Sequence, residues 1–166
     1  MIPSDHFVRF YNEVFKAIEA RGHHALVAYW KELGRLQSLA LVDQFREGGI
    51  AACAEYWTRI VHEENCKADT LLTDDYFELR MHRCPSLSKA LDNDAKPFRL
   101  YCDHCMGWIE PVMEAAGLYS IMDMESRTEP HCVFRVYKDK ALADAYEAQA
   151  KLPSRPYTDH LKTAKE

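Results

Sequence analysis

The apolar residues of this chain change their period once, near residue 70, and that change restricts the fold more than any other feature. Ahead of it they recur every three or four positions, the repeat of an amphipathic helix. Phe7, Tyr11, Val14, Phe15 and Ile18 form one such face, with Ser4 or Asp5 placed to cap its first turn and Gly22 to end it. A second helix is expected over His23 to Phe45, with Leu26, Trp30, Leu33, Leu41 and Phe45 inward. Gly48 and Gly49 punctuate it. A third is expected from Ile50 toward Cys66, with Ala54, Trp57, Ile60 and Val61 inward.

Behind the change, short stretches alternate. Thr70 to Thr73 and Tyr76 to Arg83 read as a hairpin turning at Asp74-Asp75, with Phe77, Leu79 and Met81 on one face and Glu78, Arg80 and His82 on the other. Pro85 stops that strand, Ser86 to Asp92 reads as a short helix, and Lys96-Pro97 marks a loop. Tyr101 to Ala116 has helical spacing ended by Gly117. Pro111 inside it implies a later start or a kink. Leu118 to Met124 and Cys132 to Lys138 form a second strand pair, and Ala141 to Lys151 a last helix. Strands grouped as hairpins beside segregated helices predict an α+β domain over residues 1–152, a helical front half followed by a small antiparallel sheet of two hairpins. A polar tail, 153–166, follows.

The 166 residues suit one domain, and 48% hydrophobic content is enough for a core. With a net charge of −5 and no basic run, nucleic acid is not an expected partner. No apolar stretch approaches the roughly 18 residues of a membrane span, and the N-terminus lacks the pattern of a secretory signal. A cytoplasmic location is the expectation, with a small molecule as partner and a homodimer compatible with the helical half. The six cysteines are then expected as free thiols or metal ligands. Cys53, in an apolar run, reads as a core residue. Glycine-rich phosphate loops, G-x-S-x-G and H-E-x-x-H are all missing, so neither a nucleotide cofactor nor the common serine and zinc peptidase mechanisms are expected.

The densest chemical signal is Tyr101-Cys102-Asp103-His104-Cys105. Cysteines three apart share one helix face, and a helix N-terminus favours thiolate. Cys102 and Cys105 fit half of a tetrahedral zinc or other transition-metal site, with Cys84, His82, His104, His131 or Cys132 completing it; they also fit a redox pair, or a plain structural role. Arg83 beside Cys84, at a strand end, is placed to lower that thiol's pKa, or the thiol simply ends the strand. Arg127 in Glu125-Ser126-Arg127-Thr128 has the planar fork that grips a carboxylate, or belongs to a solvated turn. His62 and Cys66, His23 and His24, Glu63 and Glu64 read as helix-end or solvated side chains, and Trp30, Trp57 and Trp108 as core.

The runs FELRMHRCP, LYCDHC and MESRTEPHCVFRVYK resemble, in order and spacing, the L-2-amino-thiazoline-4-carboxylic acid hydrolase-like family. The likeness lies in Arg83-Cys84-Pro85, in Cys102 with Asp103, in Arg127-Thr128, and in Cys132 with Phe134, and it covers about Tyr76 to Lys138. The last hairpin is also similar to four-vinyl-reductase-type ligand-binding domains. The first resemblance implies hydrolytic opening of a small cyclic C–N bond near a carboxylate. Cys102 or Cys84 would be the nucleophile, unless a metal-bound hydroxide held by Cys84, Cys102, His104 and Cys105 takes that part. His104 or Asp103 would move the proton, and Arg83 and Arg127 would bind substrate. The second implies a non-enzymatic small-molecule or metal sensor.

Overall fold

The structure is a computed structural model describing residues 3–92, 96–124 and 128–150, with the backbone alone for residues 3–5. Helices α1 (Pro3–Glu19) and α2 (His23–Glu63) lead into a hairpin of β1 (Lys67–Leu72) and β2 (Tyr76–Arg83). Next come α3 (Pro85–Leu91) and α4 (Asp103–Ala116), then β3 (Tyr119–Asp123), β4 (Cys132–Tyr137) and α5 (Lys140–Ala150). The fold is α+β, as the change of period implies. The two hairpins join edge to edge into one antiparallel sheet of order β1-β2-β4-β3. Among the described residues no helix is long and apolar enough to cross a membrane.

The second and third helices expected from sequence are one element, α2, broken only at Gly49 (φ 57°, ψ −147°). That backbone conformation is strained for any residue with a Cβ, so the glycine redirects the chain without ending the hydrogen-bonded run. The helix ends at Glu63, so Cys66 lies beyond it. At the other end of the chain, α1 already includes Pro3, which places Ser4 and Asp5 inside the helix rather than at its cap. Phe7 is 60% exposed, against expectation. The inward face runs instead through Val8, Asn12 and Phe15. Asn12 disguises that face in the sequence. It is fully buried because its amide donates to the Lys96 carbonyl (3.1 Å) while its oxygen accepts from the Phe98 amide (2.7 Å). A buried amide satisfied on both sides is tolerated where an unsatisfied one is not.

The inner face of the sheet presents Phe77 and Leu79 of β2 and Phe134 and Val136 of β4 to α2 and α4, where Phe45, Trp57, Val112 and Met113 close the main core. A second core joins α1, the start of α2, α3 and the segment Phe98 to Met106, and Cys84 and Cys102 pack at its margin. On the outer face Arg80 and His82 are exposed, as alternation suggests, but Glu78 is not. Glu78 is 6% exposed, because Arg135, opposite it on β4, grips it (Nε to Oε2 2.6 Å) and α5 lays Tyr146 over the guanidinium (3.9 Å).

Pro111 neither delays α4 nor ends it; the helix runs from Asp103 to Ala116 with the proline inside and Gly117 in the left-handed conformation behind it. A proline has no N–H for the carbonyl four residues back, here that of Gly107. Gly34 of α2 packs on this spot: a Cβ there would lie 3.0 Å from Pro111 Cγ and 3.2 Å from the Gly107 and Trp108 carbonyl oxygens. Alanine in place of a mid-helix glycine ordinarily stabilises by about 1 kcal/mol. Gly34→Ala is expected to reverse that sign, for a net loss of about 1–2 kcal/mol through overpacking. Urea unfolding midpoints decide it, and an unchanged or raised midpoint would show that the helices do not cross this closely.

Candidate functional site

Three segments deliver the sulfur atoms to one place. Cys84 follows the last residue of β2 and precedes Pro85, the first residue of α3. Its amide donates to the Pro130 carbonyl, and its Sγ accepts from the Leu87 amide (3.4 Å) as the cap of α3. Cys132 opens β4 opposite Met81. Cys102 stands at the N-cap of α4 with its backbone already helical (φ −69°, ψ −21°), and Cys105 lies in the first turn. The half-buried Cys105 thiol is within electrostatic reach of Cys84, Cys102 and Cys132, and Cys66 within that of Cys84. The convergence of the three sequence-distant cysteines is therefore a product of the β2–β4 pairing and of the position of α4.

Their environment opposes ionisation. Burial, then the neighbouring thiolates and Asp103, push the Cys105 thiol far up. Burial, then Cys84 and Cys102, push Cys132 up to about 12. Cys84 is also raised by burial, although the Leu87 and Ser86 amides pull against it. The expected lowering of these pKa values, by the helix terminus at Cys105 and by Arg83 at Cys84, is thus not what the fold produces. Desolvation outweighs the terminus, and Arg83 is exposed; among the described residues its guanidinium reaches the Ser88 hydroxyl at 3.4 Å. Cys53 is the core residue expected, wholly buried and pushed up to about 12 by burial.

His104 is enclosed by Phe15, Tyr101 and Trp108, with ring centroids 5.3, 4.9 and 4.6 Å away. Its Nδ1 bonds the Tyr101 carbonyl, which can only accept, so Nδ1 carries the hydrogen. Nε2 is left with its lone pair facing Cys105 Sγ at 3.7 Å. Asp103, beside it, is 1% exposed. Tyr101 was not singled out from sequence. It supplies that carbonyl, and its hydroxyl bonds the Ser86 hydroxyl at 2.7 Å, tying α3 to the start of α4.

His104 and Cys105 form part of the wall of a pocket of about 210 Å³ between α2 and α4. Phe45, Tyr56, Trp57 and Trp108 line it, and Gln37 and Glu64 are its other polar residues. Sequence reading assigned Trp57 to the core and Glu64 to solvent. The stripe Tyr56, Ile60, Glu64, four residues apart along α2, is the signal that runs from core to opening. A second pocket, of about 240 Å³, is lined by Arg80, His82, His131 and Cys132, with His82 paired to Asp69 (2.7 Å) and His131 to Glu129 (3.6 Å). Among the described residues no group of three or more His, Cys, Asp or Glu has the spacing to hold a metal ion, so the expected set Cys84, Cys102, His104 and Cys105 does not assemble as one. Arg127 lies outside the described residues, as does the tail 153–166. Comparison with family models, with curated proteins and with solved structures finds no match for this chain.

Burial holds the His104 imidazole down from 6.5 to about 4. Above pH 6.5 the ring is neutral both folded and unfolded and contributes nothing to pH dependence. Below it the unfolded chain takes up the proton first. Stability is therefore lost as pH falls from 6.5 toward 4, by about 3 kcal/mol, and levels off below. His104→Gln is expected to remove this part of the profile. Urea midpoints for both proteins between pH 7 and 4 measure it, and parallel curves would contradict the burial of a neutral ring.

Proposed function

We propose that this chain is a small-molecule hydrolase that opens a cyclic C–N bond of amidine or thiazoline type in the pocket between α2 and α4. The observation that carries the reading is the pairing of Cys105 Sγ with the free lone pair of His104 Nε2 at 3.7 Å, both on the wall of that pocket. A nucleophile beside a base that is itself oriented by a third group is the arrangement covalent catalysis requires. The resemblance to the L-2-amino-thiazoline-4-carboxylic acid hydrolase-like family points to the same chemistry. It also assigns the substrate carboxylate to Arg127.

Because burial and three neighbouring thiols disfavour a standing thiolate, the proton leaves Cys105 as the sulfur attacks, not before. The thiol hydrogen passes to His104 Nε2 while sulfur bonds to the ring carbon. The imidazolium returns that proton to the ring nitrogen as the C–N bond breaks. Water then adds to the sulfur-bound carbon, giving one proton to Nε2; the C–S bond breaks, and the proton goes back to the sulfur. A base whose pKa lies near 4 is weak but always available at neutral pH. Its protonated form is correspondingly acidic, which favours rapid return of the proton to the leaving nitrogen. Cys84 and Cys102, the nucleophiles suggested by sequence, lie within electrostatic reach of Cys105 but are not among the described residues of the pocket wall.

The predominantly aromatic and aliphatic wall also favours a second reading, a ligand-binding module of the four-vinyl-reductase type, in which the thiols pack and nothing turns over. Substitution separates the two. Cys105→Ser is expected to lower turnover of small cyclic amidines and thiazolines at least 1,000-fold, the scale of removing an attacking group, with the urea midpoint within about 1 kcal/mol of the parent. Cys102→Ser is expected to leave more than a tenth of the rate. Loss of activity in Cys102→Ser with full activity in Cys105→Ser would transfer the nucleophile to Cys102. Binding without turnover in the unaltered chain would favour the module.

A further inference from the structure

Among the described residues, the wall of the α2–α4 pocket holds one formally charged side chain, and it is an acid. Glu64 closes α2 at the C-cap, is exposed, and makes no ion pair with any described residue. Among the described residues no lysine or arginine lines the pocket. Arg59, whose guanidinium lies over the Tyr56 ring at 5.5 Å, is outside the wall and is paired with Glu63 at 3.9 Å. His104 adds no charge near neutral pH, since burial keeps its ring unprotonated.

The remaining wall is rich in aromatic side chains. Phe45, Tyr56, Trp57 and Trp108 contribute rings to one cavity. An aromatic face is the negative pole of its quadrupole. A cation near it gains about 0.5–2 kcal/mol, more as water is excluded, whereas an anion is repelled. A carboxylate at the opening and aromatic rings inside act with the same sign. The volume of about 210 Å³ is below the roughly 300–1,000 Å³ of sites for drug-sized ligands, which restricts the occupant to about one ring and its substituent.

We propose that this pocket selects a small organic cation with an apolar body, a ring bearing an amidinium or ammonium group, whose charged end lies at Glu64 and whose ring lies among Trp57, Trp108 and Tyr56. The inference rests on the pocket's being the substrate site and adds the sign of the ligand's charge. A cyclic amidine, protonated at neutral pH, meets the requirement, and a simple carboxylic acid does not.

Three probes of nearly one shape isolate the charge: benzamidinium, benzamide and benzoate, titrated calorimetrically into the full-length chain at pH 7. Benzamidinium is expected to bind at least tenfold more tightly than benzamide, benzoate not at all, and added salt to weaken only the first. Glu64→Gln, at an exposed position, is expected to bring benzamidinium to the affinity of benzamide. Equal binding of the neutral or anionic probe, no binding of any probe, or a preference that survives Glu64→Gln would overturn the proposal. The hydrolase reading fails separately. If cyclic amidines are turned over by a chain that shows no cation preference, this inference is wrong and the reaction stands. If benzamidinium binds through Glu64 and no cyclic amidine is opened, the reaction is wrong and the pocket's selectivity stands.

Discussion

The close crossing of α2 and α4 is the constraint on which the rest of the molecule depends. Gly34 brings the two backbones together at the turn where Pro111 has no amide hydrogen to offer the Gly107 carbonyl. A side chain at position 34 would hold α4 away from α2, and with it the face bearing His104 and Cys105. The same crossing fixes where the helices diverge. Beyond Gly34, α2 bends at Gly49 and descends past Tyr56 and Trp57 to Glu64, and the space left between it and α4 is the pocket. One residue without a Cβ and one without an N–H thus meet beside the wall of the pocket, where Trp108 and Val112 flank them.

Electrostatics in the site follow from depth. A helix N-terminus offers a thiol about 0.3–1 kcal/mol near the surface, and desolvation of a thiolate costs more than that, so Cys105 stays protonated. The same burial lowers the histidine. Donor and acceptor are thereby both neutral at rest, and a pair of neutral groups in contact avoids the cost of an isolated buried charge. What the arrangement supplies is a proton path of fixed direction, because the Tyr101 carbonyl dictates which ring nitrogen carries the hydrogen.

Away from the site, the outer face of the sheet shows how a charged residue can be interior. Glu78 is held from two sides, by Arg135 across the strand pair and by Arg80 two residues along its own strand (3.0 Å), while Tyr76 and Tyr146 cover the Arg135 guanidinium. The pairing of β2 with β4 that makes this possible also sets Cys132 opposite Met81, near the end of the strand that delivers Cys84. The buried ion pair and the convergence of thiols are two consequences of one register.

Local pattern was enough for the strands and for most of the helices, though not for the continuity of α2 across Gly49 or for the start of α1. The change of period near residue 70, the hairpin turn at Asp74-Asp75, the stop at Pro85 and the cap at Gly117 are all statements about neighbours in sequence, and such neighbours govern backbone conformation directly. The density of Cys and His around residues 102–105 drew attention to a segment of which His104 and Cys105 line the α2–α4 pocket. Side-chain environment was not legible. Asn12 and Glu78 look solvent-facing until a loop and an arginine from distant segments satisfy them; Phe7 looks internal until Val8 and Phe15 take the inward face. Glu64 and Trp57 look unrelated until α4 lies across α2. Periodicity says which residues share a face, but what covers that face, and hence whether a thiol ionises or a carboxylate sits beside a pocket, depends on contacts between segments far apart in the chain, which only the folded arrangement decides.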